Sequence, residues 1–184
     1  MADLYEYYNT GRTDTTGFYG TEWRAQTFTP LVAHKITSVK LQLYRAGLPG
    51  EVTVGIRATN VSGHPTGGDL CFGTIDGDTL TESTNGAWYE ITLGAGYNLD
   101  ADTKYAIVVR AISGDGDNNL QWGQDDSSPT YTRGNFEYSN NSGGSWAATL
   151  TRDFLFEDWG EPLITKSRAV SANMAAKMIA GKLI

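Results

Sequence analysis

Between Tyr97 and Ile112 the chain reads YNLDADTKYAIVVRAI, and this stretch constrains the fold more than any other. Tyr105, Ile107, Val109 and Ala111 alternate with Lys104, Ala106, Val108 and Arg110, the two-residue period of a strand with one face on a core. Ala106 and Val108 make the second face partly apolar too, which predicts a central strand. Just upstream, Asn98, Asp100 and Asp102 supply turn chemistry around Leu99. A leucine, an acidic turn and a tyrosine opening a strand predict a plugged sandwich corner, with the ring buried and its hydroxyl returned to nearby backbone.

The rest of the chain reads as short strands built around this one. Residues 1–20 lack a clear period and read as an extended arm or an irregular first strand. Trp23–Phe28 is a strand stopped by Pro30, and Ile36–Tyr44 follows with Val39, Leu41 and Leu43 on one face. Leu48-Pro49-Gly50 is a turn, because proline presets one dihedral and glycine accepts a positive φ. Val52, Val54, Ile56 and Ala58 then alternate, so the two flanking runs are expected to pair as a hairpin. A Gly/Pro loop at 60–69 leads to a strand over Leu70–Ile75, and the Asn85-Gly86 turn to another over Trp88–Leu93. Later strands are expected at Leu120–Gly123, Thr130–Tyr138 and Thr149–Trp159, with a flexible turn over Asn140–Ser145. Many short strands and almost no helix predict an all-β sandwich or barrel.

Composition agrees, with 22 glycines and frequent aromatic residues. The net charge of −7 argues against nucleic acid bound through a charged surface. All acids lie within residues 1–161, which carry −11, whereas residues 162–184 carry +4 through Lys166, Arg168, Lys177 and Lys182. Cys71 is the only cysteine, so no intrachain disulfide forms and Leu70-Cys71-Phe72 reads as a buried apolar site. MADLYEYY lacks the basic and apolar regions of a signal peptide, and no apolar run reaches the ~20 residues of a membrane span. The expectation is a protein made in the cytoplasm.

AQTFTP, ITSVKLQLYRAG, a glycine-and-proline loop, YNLDADTKYAIVV, LQWG and a final aromatic strand occur in that order. Over residues 22–160 the sequence resembles the jelly-roll-like β-sandwich modules of the choice-of-anchor type, found in prokaryotic surface proteins and phage virion proteins. The resemblance implies a jelly-roll-like antiparallel sandwich and is nearly silent on activity, because its motifs are packing motifs. LDADTKY is also similar to a corner of fibronectin type III domains, a fold for which this chain is long. The expected organisation is an arm or first strand over 1–20, a sandwich over 21–161 and a tail over 162–184. Ser171 is expected to cap a short helix in that tail, where Met174, Met178, Ile179 and Leu183 are candidate attachment residues. An isolated helix of about three turns is marginal, so the tail is expected to sit on another copy or another protein.

Candidate chemistry is sparse. His34 and His64 lie outside any nucleophile or zinc motif and read as solvent-facing loop residues. Asp153, Glu157 and Asp158 are the acids a glycosidase reading would use, but they read more simply as solvated charges on an outer strand edge. Asp115, Asp117 and Asn119 alternate as oxygen donors, and Asp126 (or Asp125) would complete a shell for Ca²⁺. Gly, Asp and Asn are equally what any tight turn selects, and Leu120 stands where an EF-hand needs glycine. Trp88, Tyr131, Tyr138 and Trp146 flank loops and are candidate glycan-binding residues; Trp122, in LQWG, reads as strand.

The expected function is therefore a non-enzymatic structural or adhesive protein of a virion-like or other surface assembly. It requires no cofactor and is held to its partners by the C-terminal tail. The competing classes are a carbohydrate-binding module of a secreted or cell-surface protein and a glycoside hydrolase.

Overall fold

The computed structural model describes residues 2–163, so the candidate attachment residues Met174, Met178, Ile179 and Leu183 lie outside the described residues. In chain order the strands are β1 (Asp3–Tyr8), β2 (Asp14–Phe18), β3 (Trp23–Phe28), β4 (His34–Ala46), β5 (Glu51–Thr59), β6 (Pro65–Asp76), β7 (Ala87–Leu99), β8 (Tyr105–Arg110), β9 (Asn119–Asp125), β10 (Phe136–Ser139), β11 (Ala147–Thr149), β12 (Asp153–Phe154) and β13 (Phe156–Pro162). Two antiparallel sheets pack as a sandwich, the all-β class that the alternation predicts. One sheet runs β11-β10-β3-β8-β5-β6. The other runs β1-β13-β4-β9-β12, with β7 paired to β4 and β2 to β9.

The strand over Tyr105–Arg110 is central. β8 pairs with β3 on one side and β5 on the other, Ile107 lying opposite both Gln26 and Ile56. Tyr105, Ile107, Val109 and Ala111 enter the main core. Ala106 and Val108 face outward yet are fully buried, forming a small second cluster with Ala25 that Trp23 and Trp146 pack against. The corner closes as expected: the Asp100 amide donates to the Tyr105 hydroxyl at 3.1 Å, while Leu99 is fully buried. Asp102 takes a left-handed conformation (φ 57°), and its amide donates to the Pro30 carbonyl at 2.9 Å.

The core fills from both sheets. Trp122 is fully buried, stacks on Phe154 at 4.0 Å and donates its indole N–H to the Leu155 carbonyl at 2.8 Å. That bond satisfies the one polar atom a buried tryptophan carries. Leu41, Leu43, Val54 and Ile56 are also fully buried, each contributing about 1.5–3 kcal/mol relative to exposure.

Four expectations are corrected. The runs flanking Leu48-Pro49-Gly50 do not form a hairpin: β4 pairs with β7, β9 and β13, whereas β5 pairs with β6 and β8. The turn is real, with Gly50 at φ +73°. It carries the chain from one sheet to the other, so the two apolar faces meet across the core instead of lying edge to edge. The first twenty residues contribute two strands, β1 on β13 and β2 on β9. β10 begins only at Phe136, so Thr130–Asn135 is connecting chain, and β6 already begins at Pro65.

The polar residues are also corrected. His34 opens β4 fully buried, with Nε2 2.9 Å from Oδ2 of the fully buried Asp158. The Tyr5 ring stacks on it at 3.8 Å. Nδ1 of His34 lies 2.8 Å from the Val32 carbonyl, which can only accept, so that nitrogen carries a proton. Burial alone would lower the imidazole pKa; the hydrogen bond and charge of Asp158 overcome it and hold the pKa above the usual histidine value. His64 is on a turn as expected, but its Nδ1 meets the buried Glu137 at 2.8 Å. Asp153 and Asp158 are buried, because β13 is flanked on both sides, by β1 and β4, and β12 lies on β9. Glu157 alone of the three reaches the surface, where Asn9 and the Trp159 indole donate to it at 2.8 Å each. Cys71 is buried, and desolvation pushes its thiol up to about 12, consistent with an inert packing residue.

Candidate functional site

β10 lies between β3 and β11, and the turn from Asn140 to Trp146 joins it to β11. The composition of that turn predicts flexibility, but a local hydrogen-bond network holds it. Ser139 Oγ donates to Asn141 Oδ1 at 2.8 Å and accepts from the Gly143 amide at 2.9 Å. Asn141 Nδ2 donates to Ser145 Oγ at 3.0 Å, and the Ser145 amide returns to Asn141 Oδ1 at 2.9 Å. Ser142 and Gly143 turn the chain with φ of 57° and 79°. A Cβ on Gly143 would also sit 2.8 Å from the Trp23 ring, so glycine is required there twice over. The turn delivers Trp146 onto the Ala25, Ala106 and Val108 cluster, beside the outer face of the sheet.

This brings two of the four glycan candidates together. Tyr138 and Trp146 line a cavity of about 210 Å³ with Asn140, Asn141 and Ser145. A second cavity of about 410 Å³ meets it at Tyr138 and Asn140 and adds Glu22, Arg24, Phe136 and Arg152. The second volume falls within the ~300–1,000 Å³ usual for ligand sites. Arg24 pairs with Glu22 at 3.3 Å and lies over the Phe18 ring at 5.6 Å, which fixes its position. Burial pulls its guanidinium below the usual arginine value. Arg152 lies 6.0 Å over the Phe136 ring. Among the described residues the Tyr138 hydroxyl, the Asn140 amide and the Arg152 guanidinium form no side-chain hydrogen bond. The groove thus offers aromatic faces with donors and acceptors of both kinds, an arrangement suited to an extended polar ligand with apolar ring faces.

The other candidates lie elsewhere. Trp88 stands on β7 in the opposite sheet, beside Gln42, and is 37% exposed. Tyr131 precedes β10, and its hydroxyl donates to Glu6 at 3.0 Å. Glu22, Arg24, Asn140 and Arg152 were missed by the sequence reading. Only Asn140, next to a Gly/Ser turn and two residues from Tyr138, had a local signal.

The loop singled out for Ca²⁺ uses its donors internally. Asp115 accepts from the amides of Asp117 and Asn118 at 2.9 and 3.0 Å, and from Asn118 Nδ2 at 2.9 Å. The Asn118 side chain and these amides hold its carboxyl below the usual range. Asn119 Oδ1 accepts from Gln121 at 2.7 Å. Asp126 lies beyond the far end of β9, roughly 20 Å from Asn119 at the rise of an extended chain, and there accepts from Thr13 at 2.8 Å. Asp117 and Asn119 thus stay near Asp115, and Asp126 does not join them. Among the described residues, no group of three or more His, Cys, Asp or Glu side chains is placed to hold a metal ion.

No protein-family model matches this sequence, and no curated protein matches it significantly.

Proposed function

We propose that this protein is a non-enzymatic adhesive β-sandwich of a virion-like or other surface assembly, and that the groove at Tyr138 and Trp146 contacts a glycan. The observation that carries the reading is the convergence of Tyr138, Trp146, Asn140 and Arg152 on two adjoining cavities. Flat rings suit the C–H face of a pyranose, while Asn140 and Arg152 suit its hydroxyls. In this reading residues 162–184 attach the sandwich to its assembly, leaving the groove for the target.

A hydrolytic role draws less support. Asp153 and Asp158 are interior, Glu157 is held by Asn9 and Trp159, and none of the three lines the groove. Both histidines are committed to carboxylates.

The test is a glycan-array screen of the intact protein, followed by titration of the best ligand against Asn140→Ala and Arg152→Ala. Both variants should keep the wild-type circular dichroism and melting temperature and lose binding at least tenfold. Retained affinity in both variants, or an array without a ligand, would refute the groove.

A further inference from the structure

Three charged side chains line the larger cavity of the groove: Glu22, Arg24 and Arg152. Two of them cancel. Glu22 Oε2 lies 3.3 Å from Arg24 Nη2, while Nη1 of Arg24 donates to the Trp23 carbonyl at 3.1 Å. The Arg24 side chain is only 11% exposed, so it shapes the wall and presents little to a ligand.

Arg152 differs in each respect. It stands exposed between β11 and β12, and among the described residues its guanidinium forms neither an ion pair nor a hydrogen bond. The adjacent Asp153 is no partner for it: that side chain is turned inward, 4% exposed, and accepts from Gln26 at 2.9 Å. The contact of Arg152 with the Phe136 ring, at 6.0 Å, uses none of its five N–H donors. An exposed arginine is ordinary on its own. This one shares a cavity wall with the Tyr138 hydroxyl and the Asn140 amide, which also form no side-chain hydrogen bond among the described residues. The cavity lining thus carries one uncompensated positive charge, on a body whose residues 1–161 carry −11.

We propose that the groove takes an acidic sugar, one bearing a carboxylate, and that Arg152 is the carboxylate's partner; this rests on the glycan reading of the groove. A guanidinium presents a planar fork that meets both oxygens of a carboxylate at once. The Tyr138 hydroxyl and Asn140 Nδ2 supply further donors, and Asn140 Oδ1 accepts from a ring hydroxyl. A neutral sugar would use the same amide and phenol but leave the charge of Arg152 unanswered, and a cationic ligand would be repelled by it. The acidic remainder of the body opposes a densely charged polyanion. The ligand class is therefore a chain with isolated acidic residues, such as a hexuronic acid set among neutral sugars.

The test is an amide-shift NMR titration of the intact protein with the methyl glycosides of glucuronic and galacturonic acid, their neutral parents methyl glucoside and methyl galactoside, and glucose 6-sulfate. At least one uronide should bind roughly fivefold or more tightly than its neutral parent. The shifts should fall over residues 138–149 and 152, and the preference should shrink as NaCl rises from 50 to 500 mM. Arg152→Gln, at an exposed position, should bring the uronide and its parent to the same affinity. Equal affinities in the wild type would overturn the acidic-sugar assignment and leave the glycan reading standing. A preference that survives Arg152→Gln, or tighter binding of the sulfate than of either uronide, would overturn the pairing of Arg152 with a carboxylate. Absence of binding by every probe would overturn both this proposal and the glycan reading.

Discussion

Asp153→Asn should stabilise this protein at alkaline pH and leave it nearly unchanged in mild acid. Asp153 is 4% exposed, and burial pushes its carboxyl from 3.8 up to about 7. Asp125, directly opposite on β9, adds charge repulsion, while the Gln26 side chain donates to Oδ1 at 2.9 Å and works the other way. A carboxyl whose folded pKa is raised holds its proton more tightly in the native state. Its contribution is therefore full below 3.8 and is lost as pH climbs toward 7. A shift of about three pH units corresponds to about 4 kcal/mol at most. Relaxation around the charged form makes about 2–4 kcal/mol the working range. Asparagine keeps the acceptor for Gln26, whose own Oε1 accepts from the Phe154 amide at 2.8 Å, and has no charge to desolvate. Urea unfolding of both proteins from pH 4 to pH 9 measures the difference directly. It should be near zero at pH 4 and favour the variant by about 2–4 kcal/mol at pH 9, raising Tm there by roughly 5–15 °C. A difference that is flat with pH, or a variant destabilised most at pH 9, would refute the argument.

The remaining predictions concern the corner, the core and the acidic loop. Tyr105→Phe removes the acceptor of the Asp100 amide and should cost about 1 kcal/mol in urea unfolding, with the ring still in place. Val109→Ala, at a fully buried position of β8, should cost about 1–3 kcal/mol through transfer and cavity terms; if both are silent, β8 does not organise the sandwich. Added EDTA should leave Tm unchanged, because Asp115 is already occupied by Asp117 and Asn118. A fall of several degrees would instead identify the loop as a structural calcium site.

The central strand and its corner were legible because both faces of β8 are apolar and because Leu99, Asp100 and Tyr105 lie within seven residues of one another. Alternation was less informative about partners. It says that Leu41, Leu43, Val54 and Ile56 each face a core, but two strands joined by a tight turn satisfy it whether they pair edge to edge or face to face. That ambiguity produced the hairpin expected around Pro49 in place of the crossover between sheets. The glycan candidates were read one by one from composition, and only the turn at 140–146 decides that Tyr138 meets Trp146 while Tyr131 and Trp88 go elsewhere.

The polar interior was partly within reach of the same alternation, applied without assuming that charge faces water. Asp158 is in phase with Phe156, Glu6 with Tyr8, and His34 with Ile36, so each lies on the apolar face of its own strand. Burial of one such residue is costly unless a partner of suitable chemistry arrives from another strand. Those partners are 124 residues apart for His34 and Asp158, and 125 for Glu6 and Tyr131. Strand phase can therefore mark which polar residues turn inward, but pairing across the fold decides which are satisfied. His34 and Asp158 satisfy each other within the sandwich. Glu6, which follows a bulge in β1, pairs through Oε1 with Tyr131, while its Oε2 is shielded from solvent and lies 3.8 Å from Arg133 Nε. That difference is why the first pair closes on itself, while the second leaves the Glu6 carboxyl with a pKa raised by its burial.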